Sequence, residues 1–334
     1  MALHQDVIVG IDGSAPSEEA AAWALKELRG SGRTLNLVHV ITPAGPESAA
    51  ESELRSAGDE VLTRLSVRLA HLDAAHPDGA SDTTIDTEVV IGDPAEALSA
   101  LASDASLLVL GHHGVGQGNS PRLGTVSFGL PGHALSSVLV HRVRTGSEFD
   151  DPAAHPTMRS GPGLPPTTGG SDAPVDAVPA DDGNPRADAG PGRTRGVVVV
   201  GLDTSEYAAV AALDAAEFAV GSGQRLRVLV GVDALADAAA RARAEADLAW
   251  LRREFPTLDA DAEFPTGDPV DALIRASEDA DLIAIGKRGI GQFAAMTSQL
   301  GRTSSAVLSG AHSSVLLVTF RPDPRLESRT SVRR

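Results

Sequence analysis

The sequence predicts an α/β fold made of two tandem doubly wound parallel-sheet domains. Short apolar runs rich in Val, Leu and Ile alternate with longer segments of helical period, as in βαβ units. The same order of segments starts again in the second half of the 334-residue chain, which is long enough for two ordinary domains. Each domain should therefore bury a parallel sheet between layers of helices.

The first repeat opens with a buried strand, residues 6–12, that ends in Asp12. A helix follows, because Ser14 is a good N-cap and Pro16 fits a first turn. Trp23 falls on the apolar face of this helix, where a core position is the expected interpretation.

The next elements of the first repeat continue the alternation. Strands are predicted at 35–41 and 84–91, with a long helix over 47–71 between them. Asp93 then caps another helix, which has Pro94 at its first position. The order βαβαβαβαβ indicates a parallel sheet.

The most informative stretch lies between two further apolar runs, residues 107–110 and 138–140. Gly111 and Gly114 follow the first run, and Gly124 opens the segment that leads to the second. Glycines let the backbone turn and approach a ligand closely, and the N-terminus of a following helix attracts anions. The spacing G-x2-G-x9-G-[ST] therefore predicts a phosphate-binding loop, with a purely structural turn as the alternative.

Two details of this stretch lead to further expectations. Pro131 and Gly132 fall inside the last helix of the repeat, which should therefore be short or kinked. His112 and His113 suggest a metal site, but adjacent side chains diverge and no third ligand is suitably spaced. We interpret them as solvated loop histidines.

A segment rich in Pro, Gly and Asp separates the repeats. Residues 146–194 hold nine of the 21 prolines and almost no large apolar residues, so burial cannot offset the entropy of ordering them. A disordered linker is predicted, and a partner-binding or modified tail is left open. The domains are thus assigned to 1–145 and 195–321, with a frayed basic tail at 322–334.

The second repeat is shorter than the first. Asp203 stands 191 residues after Asp12, whereas Gly286 stands 175 residues after Gly111, so sixteen residues are missing between these points. The shortfall is expected at the second helix and its neighbouring loops.

The glycine loop of the second repeat is also altered. Eleven residues, instead of nine, separate Gly289 from Gly301, and Arg302 stands at the hydroxyl position. Lys287, Arg288 and Arg302 could still attract phosphate by charge, so a weaker site is predicted here.

The bulk composition limits the function classes. A net charge of -17 opposes binding to nucleic acid or anionic lipid, and no basic patch is evident in the predicted domains. The absence of cysteine excludes disulfides and thiolate metal sites. No run approaches the roughly 20 apolar residues of a membrane span, and the N-terminus does not read as a signal peptide. A cytoplasmic protein is the expectation.

Both repeats, with their first-strand aspartates and glycine loops, resemble the nucleotide-binding branch of the universal stress protein family. The resemblance implies Rossmann-like domains of the adenine nucleotide alpha hydrolase-like type. It also implies an ATP-binding regulatory protein of the stress response, and whether Mg accompanies the nucleotide is left open.

The resemblance further implies which residues bind the nucleotide. Asp12 and Gly13 would lie near the adenine, and the backbone at Val40 would contact its edge. The remaining positions would surround ribose and phosphates: Gly111, Gly114, Gly124, Thr125, Val126 and Ser127, and, more weakly, Asp203, Gly286, Gly289 and Gly301 in the second repeat.

The two domains are expected to pair across their last strands, at 138–140 and 315–318, as separate subunits of the family do. A homodimer and an unidentified protein partner are left open. A nucleotide-free interaction module is the alternative function. An enzyme is less favoured, because no catalytic base or Walker-type phosphate loop is recognisable, and ATP hydrolysis would be slow at most.

Overall fold

The computed structural model describes most of both repeats. The described residues are 6–43, 51–114, 123–142, 196–203, 205–231, 238–289 and 299–332. All of them belong to one compact unit. The predicted linker lies outside the described residues, so its disorder and the domain boundaries stay predictions.

Within its described residues, the first repeat forms five strands and four helices in the predicted order. Asp93 caps its helix by accepting hydrogen bonds from the backbone N–H groups of Ala95 at 2.9 Å and Glu96 at 3.0 Å. Ser14 caps the first helix, as predicted. The elements are β1 (Val7–Ile11), α1 (Ala15–Leu28), β2 (Thr34–Ile41), α2 (Glu51–Ala74), β3 (Thr84–Ile91), α3 (Pro94–Leu101), β4 (Leu107–Gly111), α4 (Thr125–His133) and β5 (Ser137–His141).

The second repeat follows the same order with a shorter second helix. That helix has 17 residues, against 24 in the first repeat, so the predicted shortening is confirmed at this element. The elements are β6 (Val197–Leu202), α5 (Glu206–Ser222), β7 (Arg225–Val230), α6 (Ala238–Glu254), β8 (Ala260–Glu263), α7 (Pro269–Ala276), β9 (Leu282–Gly286), α8 (Arg302–Gly310), β10 (Ser314–Val318) and α9 (Arg325–Val332).

The ten strands in the described part of the chain form one sheet in the order β3-β2-β1-β4-β5-β10-β9-β6-β7-β8. Strands within each repeat are parallel, as a doubly wound fold requires. The repeats join where β5 and β10 pair antiparallel, with Val140 opposite Val315 and Val138 opposite Leu317. The predicted pairing of the last strands is thus present within one chain.

The sheet is covered on both faces. Alternate strand side chains point to opposite faces, so Val9 and Leu37 pack against α1 and α2, whereas Ile8 and Leu108 belong to the core beneath α3 and α4. The second repeat places α5 and α6 on the first face and α7 and α8 on the other. The cores are built mainly from Val, Leu, Ile and Ala.

The prediction of a frayed tail was wrong for residues 325–332, which form α9 and pack on α6. Arg329 and Asp247 make a buried ion pair through two hydrogen bonds of 2.8 Å. The indole N–H of Trp250, whose side chain is fully buried, donates to Ser328 Oγ at 2.9 Å. These contacts give the polar segment a partner that local sequence does not reveal.

Trp23 packs against the core but is only half-buried. Its ring stacks on Phe218 of α5, with ring centroids 5.8 Å apart, and lies 5.8 Å from the ring of His141. The simple core interpretation is therefore corrected: Trp23 belongs to the contact between the repeats.

The last helix of the first repeat is short, as expected, but Pro131 does not end it. Helix α4 continues through Pro131 to His133 and has nine residues. Its counterpart α8 contains no proline in its sequence and also has nine residues. The length is therefore a property of the fold at this position.

Candidate functional site

The predicted site residues of each repeat meet at the point where the strand order reverses. β1 lies between β2 and β4, and β6 lies between β7 and β9. Asp12 follows β1 and Gly111 ends β4, while Asp203 follows β6 and Gly286 ends β9. Doubly wound sheets bind ligands at this switch point, beyond the carboxyl ends of the strands.

Asp12 is held by the turn that follows it. Its Oδ1 accepts hydrogen bonds from the backbone N–H of Ser14 at 3.0 Å and from the Ser14 hydroxyl at 2.6 Å. Gly13 has a φ of 81°, a conformation that favours glycine. The carboxylate therefore caps the turn, but it also remains exposed at the site.

The two glycines at the end of β4, Gly111 and Gly114, have different structural roles. A Cβ at Gly111 would lie 2.7 Å from the backbone C and O of Pro16, so this position must be glycine for α1 to pack against β4. A Cβ at Gly114 would instead collide with Asp12 Oδ2. Gly111 is thus required for α1 to pack against β4, whereas Gly114 lies beside the exposed carboxylate of Asp12.

The N-terminus of α4 closes the other side of the site. Gly124 is its N-cap, provides no side-chain cap, and donates its N–H to the His112 carbonyl at 2.9 Å. Thr125 is exposed and Val126 is half-buried. First-turn N–H groups have no partner within a helix, so they can receive an anion. Residues 115–122, which connect Gly114 to this helix, lie outside the described residues.

Ser127 differs from its predicted role in one respect. The side chain is buried, and the hydroxyl donates to the Gly111 carbonyl at 2.6 Å. The hydroxyl proton of Ser127 is therefore already engaged in a hydrogen bond within the fold. Ser304 makes the same bond to the Gly286 carbonyl at 2.7 Å in the second repeat.

The expectation of solvated histidines was wrong. His113 is only 8% exposed, and the His112 ring packs edge-on against it at 4.1 Å. Burial, reinforced by His113 and Arg142, lowers the pKa of His112 to about 4, so this ring is neutral at physiological pH. Within the described residues no group of three His, Asp or Glu side chains could hold a metal ion.

Val40 lies near the carboxyl end of β2 and is half-buried on the face covered by α3. One residue earlier, His39 Nδ1 lies 2.7 Å from the Ile11 carbonyl, which joins the ends of β2 and β1. Val40 thus lies near the carboxyl end of β2, next to the strand that ends before Asp12.

The second repeat contains a well-formed cleft at the equivalent place, with a volume of about 630 Å³. All four residues predicted for this repeat line it: Asp203, Gly286, Gly289 and Gly301. Two arginines, Arg288 and Arg302, line it as well. The cleft beside the second glycine turn therefore has the size of a site that binds small molecules, about 300 to 1,000 Å³. Most of the altered loop, residues 290–298, lies outside the described residues.

Local geometry in this cleft repeats that of the first domain. Asp203 Oδ1 accepts the N–H of Ser205 at 2.8 Å, and a Cβ at Gly289 would lie 2.9 Å from Asp203 Oδ2. Sequence reasoning missed Gly231 and Thr303, which also line the cleft. Both could have been found from the sequence, because Gly231 and Thr303 occupy the positions in the second repeat that Val40 and Val126 occupy in the first.

The fold and the switch-point sites define a tandem doubly wound α/β protein with a candidate ligand site in each half. A model of the universal stress protein family matches residues 4–142 and 194–319. The chain therefore belongs to the universal stress protein family.

The chain is similar to known members over different lengths. A universal stress protein of Mycolicibacterium smegmatis is 26% identical over 328 residues, which cover 96% of this chain and 99% of that protein. One from Mycobacterium tuberculosis is 34% identical over 145 residues, which cover 42% of this chain and 44% of that protein.

A solved structure of similar extent shows the same fold. A universal stress protein from Archaeoglobus fulgidus covers 95% of this chain and 98% of its own, with a TM-score of 0.59 and 16% identity. A universal stress protein solved in complex with cAMP covers 42% of this chain and 99% of its own, with 26% identity and a TM-score of 0.32. Among the described residues of the present chain, no helix is long and apolar enough to cross a membrane.

Proposed function

We propose that this protein is an ATP-binding regulatory protein of the stress response. The observation that carries the proposal is the meeting of an aspartate, a glycine turn and a helix N-terminus at each switch point of the sheet. An adenine nucleotide needs this combination, because its phosphates require N–H donors and its base requires apolar walls with a few polar contacts. Bound nucleotide would stabilise one form of the protein.

The first repeat is proposed as the main nucleotide site. It keeps the nine-residue spacing and an exposed hydroxyl at Thr125. Asp12, Gly13 and Val40 would border the adenine, while Gly114 and the first turn of α4 would receive the phosphates. Ser127 would contribute its backbone N–H, since its hydroxyl proton goes to the Gly111 carbonyl.

The second repeat is proposed to bind nucleotide through charge. Arg302 stands in the first turn of α8, where the helix dipole disfavours a cation unless an anion lies nearby. Together with Arg288 it gives the cleft two guanidinium groups, which bind phosphate oxygens with paired hydrogen bonds. The cleft volume of about 630 Å³ supports a ligand of nucleotide size.

Isothermal titration calorimetry with ATP tests the proposal one cleft at a time. Gly114→Val places a branched side chain against Asp12, and Gly289→Val does the same against Asp203. Each substitution should abolish ATP uptake by its own repeat and leave the other repeat able to bind.

The matched controls are Gly129→Val and Gly221→Val, because a Cβ at either position meets nothing within 4 Å. Both controls should bind ATP as the unmodified protein does. No heat and no thermal shift with millimolar ATP in the unmodified protein would contradict the proposed function.

The alternative, a nucleotide-free module that acts through its dimerisation surface, has less support. The strands that would form such a surface, β5 and β10, already pair with each other inside the chain. This alternative predicts that Gly114→Val leaves cellular function intact.

A further inference from the structure

A buried lysine, Lys287, lies at the contact between the two repeats. It is 5% exposed, and its ammonium group donates hydrogen bonds to the carbonyls of Ala134 at 2.8 Å and Ser136 at 2.6 Å. These carbonyls follow the last turn of α4, so the second repeat provides a cation to the C-terminal end of a helix in the first. A cation at a helix C-terminus is favoured by the helix dipole.

The backbone of Lys287 belongs to the cleft of the second repeat. Its two neighbours, Gly286 and Arg288, both line the cleft. Its carbonyl accepts the N–H of Gly301 at 2.9 Å, and Gly301 is the N-cap of α8 and another lining residue. One residue therefore joins the glycine turn of the second cleft to the first repeat.

The other end of α4 forms the candidate site of the first repeat. Gly124 and Thr125 begin the helix at that site, and Lys287 binds the carbonyls just beyond its ninth residue. A single short helix thus connects the phosphate-binding end of the first site to the glycine turn of the second.

The reverse connection is built differently. His112 occupies the position equivalent to Lys287, and its ring hydrogen-bonds to the backbone of His141 in the same repeat. The cation that reaches the end of α8 is Arg142, which follows β5 and donates to the Leu308 carbonyl at 3.0 Å. Only the Lys287 contact arises within a glycine turn.

We propose that Lys287 couples the candidate site of the first repeat to the cleft of the second, so that nucleotide bound in one raises the affinity of the other. This inference rests on the proposed function. A nucleotide in the second cleft would fix the turn around Lys287, and the fixed ammonium group would order the end of α4. The candidate site of the first repeat would then lose less conformational freedom on binding, and the effect is reciprocal.

The physical state of Lys287 makes it sensitive to such ordering. Burial, with repulsion from Arg288, lowers its pKa to about 7. The amine is therefore close to its titration point at neutral pH, and hydrogen bonds to the two carbonyl acceptors favour its ammonium form.

Calorimetric titration with ATP measures the coupling directly. The affinities of the isolated clefts come from Gly289→Val, which leaves the first open, and Gly114→Val, which leaves the second open. In the unmodified chain, where both sites are open, the second ATP molecule should bind with an affinity at least about five-fold higher than the same site shows when it is measured alone. Lys287→Met, introduced into the unmodified, Gly289→Val and Gly114→Val chains, should reduce this ratio of affinities to about one, because the contact that couples the sites is then missing.

Arg29→Met is the matched control. Arg29 also donates to backbone carbonyls, those of Gly79 and Asp73, but lies wholly within the first repeat. It should keep the five-fold ratio. Independent affinities in the unmodified protein, or a ratio unchanged by Lys287→Met, would overturn the coupling.

Hydrogen exchange gives a second test that does not require a stable Lys287 variant. In the Gly114→Val chain, ATP can enter only the second cleft, and it should slow exchange at residues 131–136 of the first repeat. Slowed exchange at the second cleft alone would overturn the inference. No ATP bound by any of these chains would instead contradict the proposed function itself.

Discussion

At the residue scale, Gly111 and Gly286 lie where a strand end meets the first turn of a helix. Added Cβ atoms would approach Pro16 backbone atoms and Tyr207 Cβ, respectively, at 2.7 Å. Real Cβ atoms do not tolerate such contacts, so both repeats keep glycine whatever they bind.

Gly111→Ala should therefore destabilise the protein. Overpacking against backbone atoms costs about 1 to 3 kcal/mol, which urea denaturation should detect as a lower free energy of unfolding. Gly129→Ala is the control, because its Cβ would meet nothing within 4 Å in an exposed part of α4. It should be neutral or stabilising. Equal stability of Gly111→Ala and the unmodified protein would refute the packing argument.

The sequence could not distinguish a glycine that helix packing requires from a glycine that borders the candidate ligand site. Gly111 and Gly114 belong to one motif, and spacing alone assigns both to ligand approach. The distinction depends on α1, whose Pro16 is about a hundred residues away in sequence. The buried environment of His112 and His113 was hidden for the same reason.

At the element scale, α9 shows how a distant partner orders a polar segment. Its sequence, RLESRTSV, offers little apolar surface. The buried ion pair of Arg329 with Asp247 and the hydrogen bond from Trp250 to Ser328 join it to α6. The predicted second helix of this repeat gave no sign of that interaction, since the partners are 82 residues apart.

Arg329→Met should therefore lower the free energy of unfolding markedly. Removal of one partner of a buried ion pair costs about 3 to 5 kcal/mol, measured by urea denaturation. Arg225→Met is the matched control, because the pair of Arg225 with Asp261 is partly exposed, 49% on the arginine and 34% on the aspartate, and solvent-exposed pairs contribute about 0 to 1 kcal/mol. Similar losses in the two variants would mean that α9 contributes little to the fold.

At the scale of the whole molecule, antiparallel pairing of β5 and β10 makes one sheet from two parallel halves. The carboxyl ends of the strands therefore face opposite edges in the two repeats, and so do the candidate sites. The alternation of apolar runs and helical segments predicted the order of strands and helices along the chain, and the family resemblance predicted the pairing of the last strands. Neither could predict Lys287 and Arg142 as contacts between repeats, because each reaches a carbonyl more than 150 residues away.

Native mass spectrometry with added ATP tests the central claim most directly. The unmodified chain should gain the mass of two ATP molecules, one for each cleft. A chain carrying both Gly114→Val and Gly289→Val should stay at its bare mass, while the Gly129→Val and Gly221→Val chain should bind as the unmodified chain does. An unmodified protein that stays at its bare mass at every ATP concentration, or equal uptake by the doubly blocked chain, would contradict nucleotide binding in these clefts.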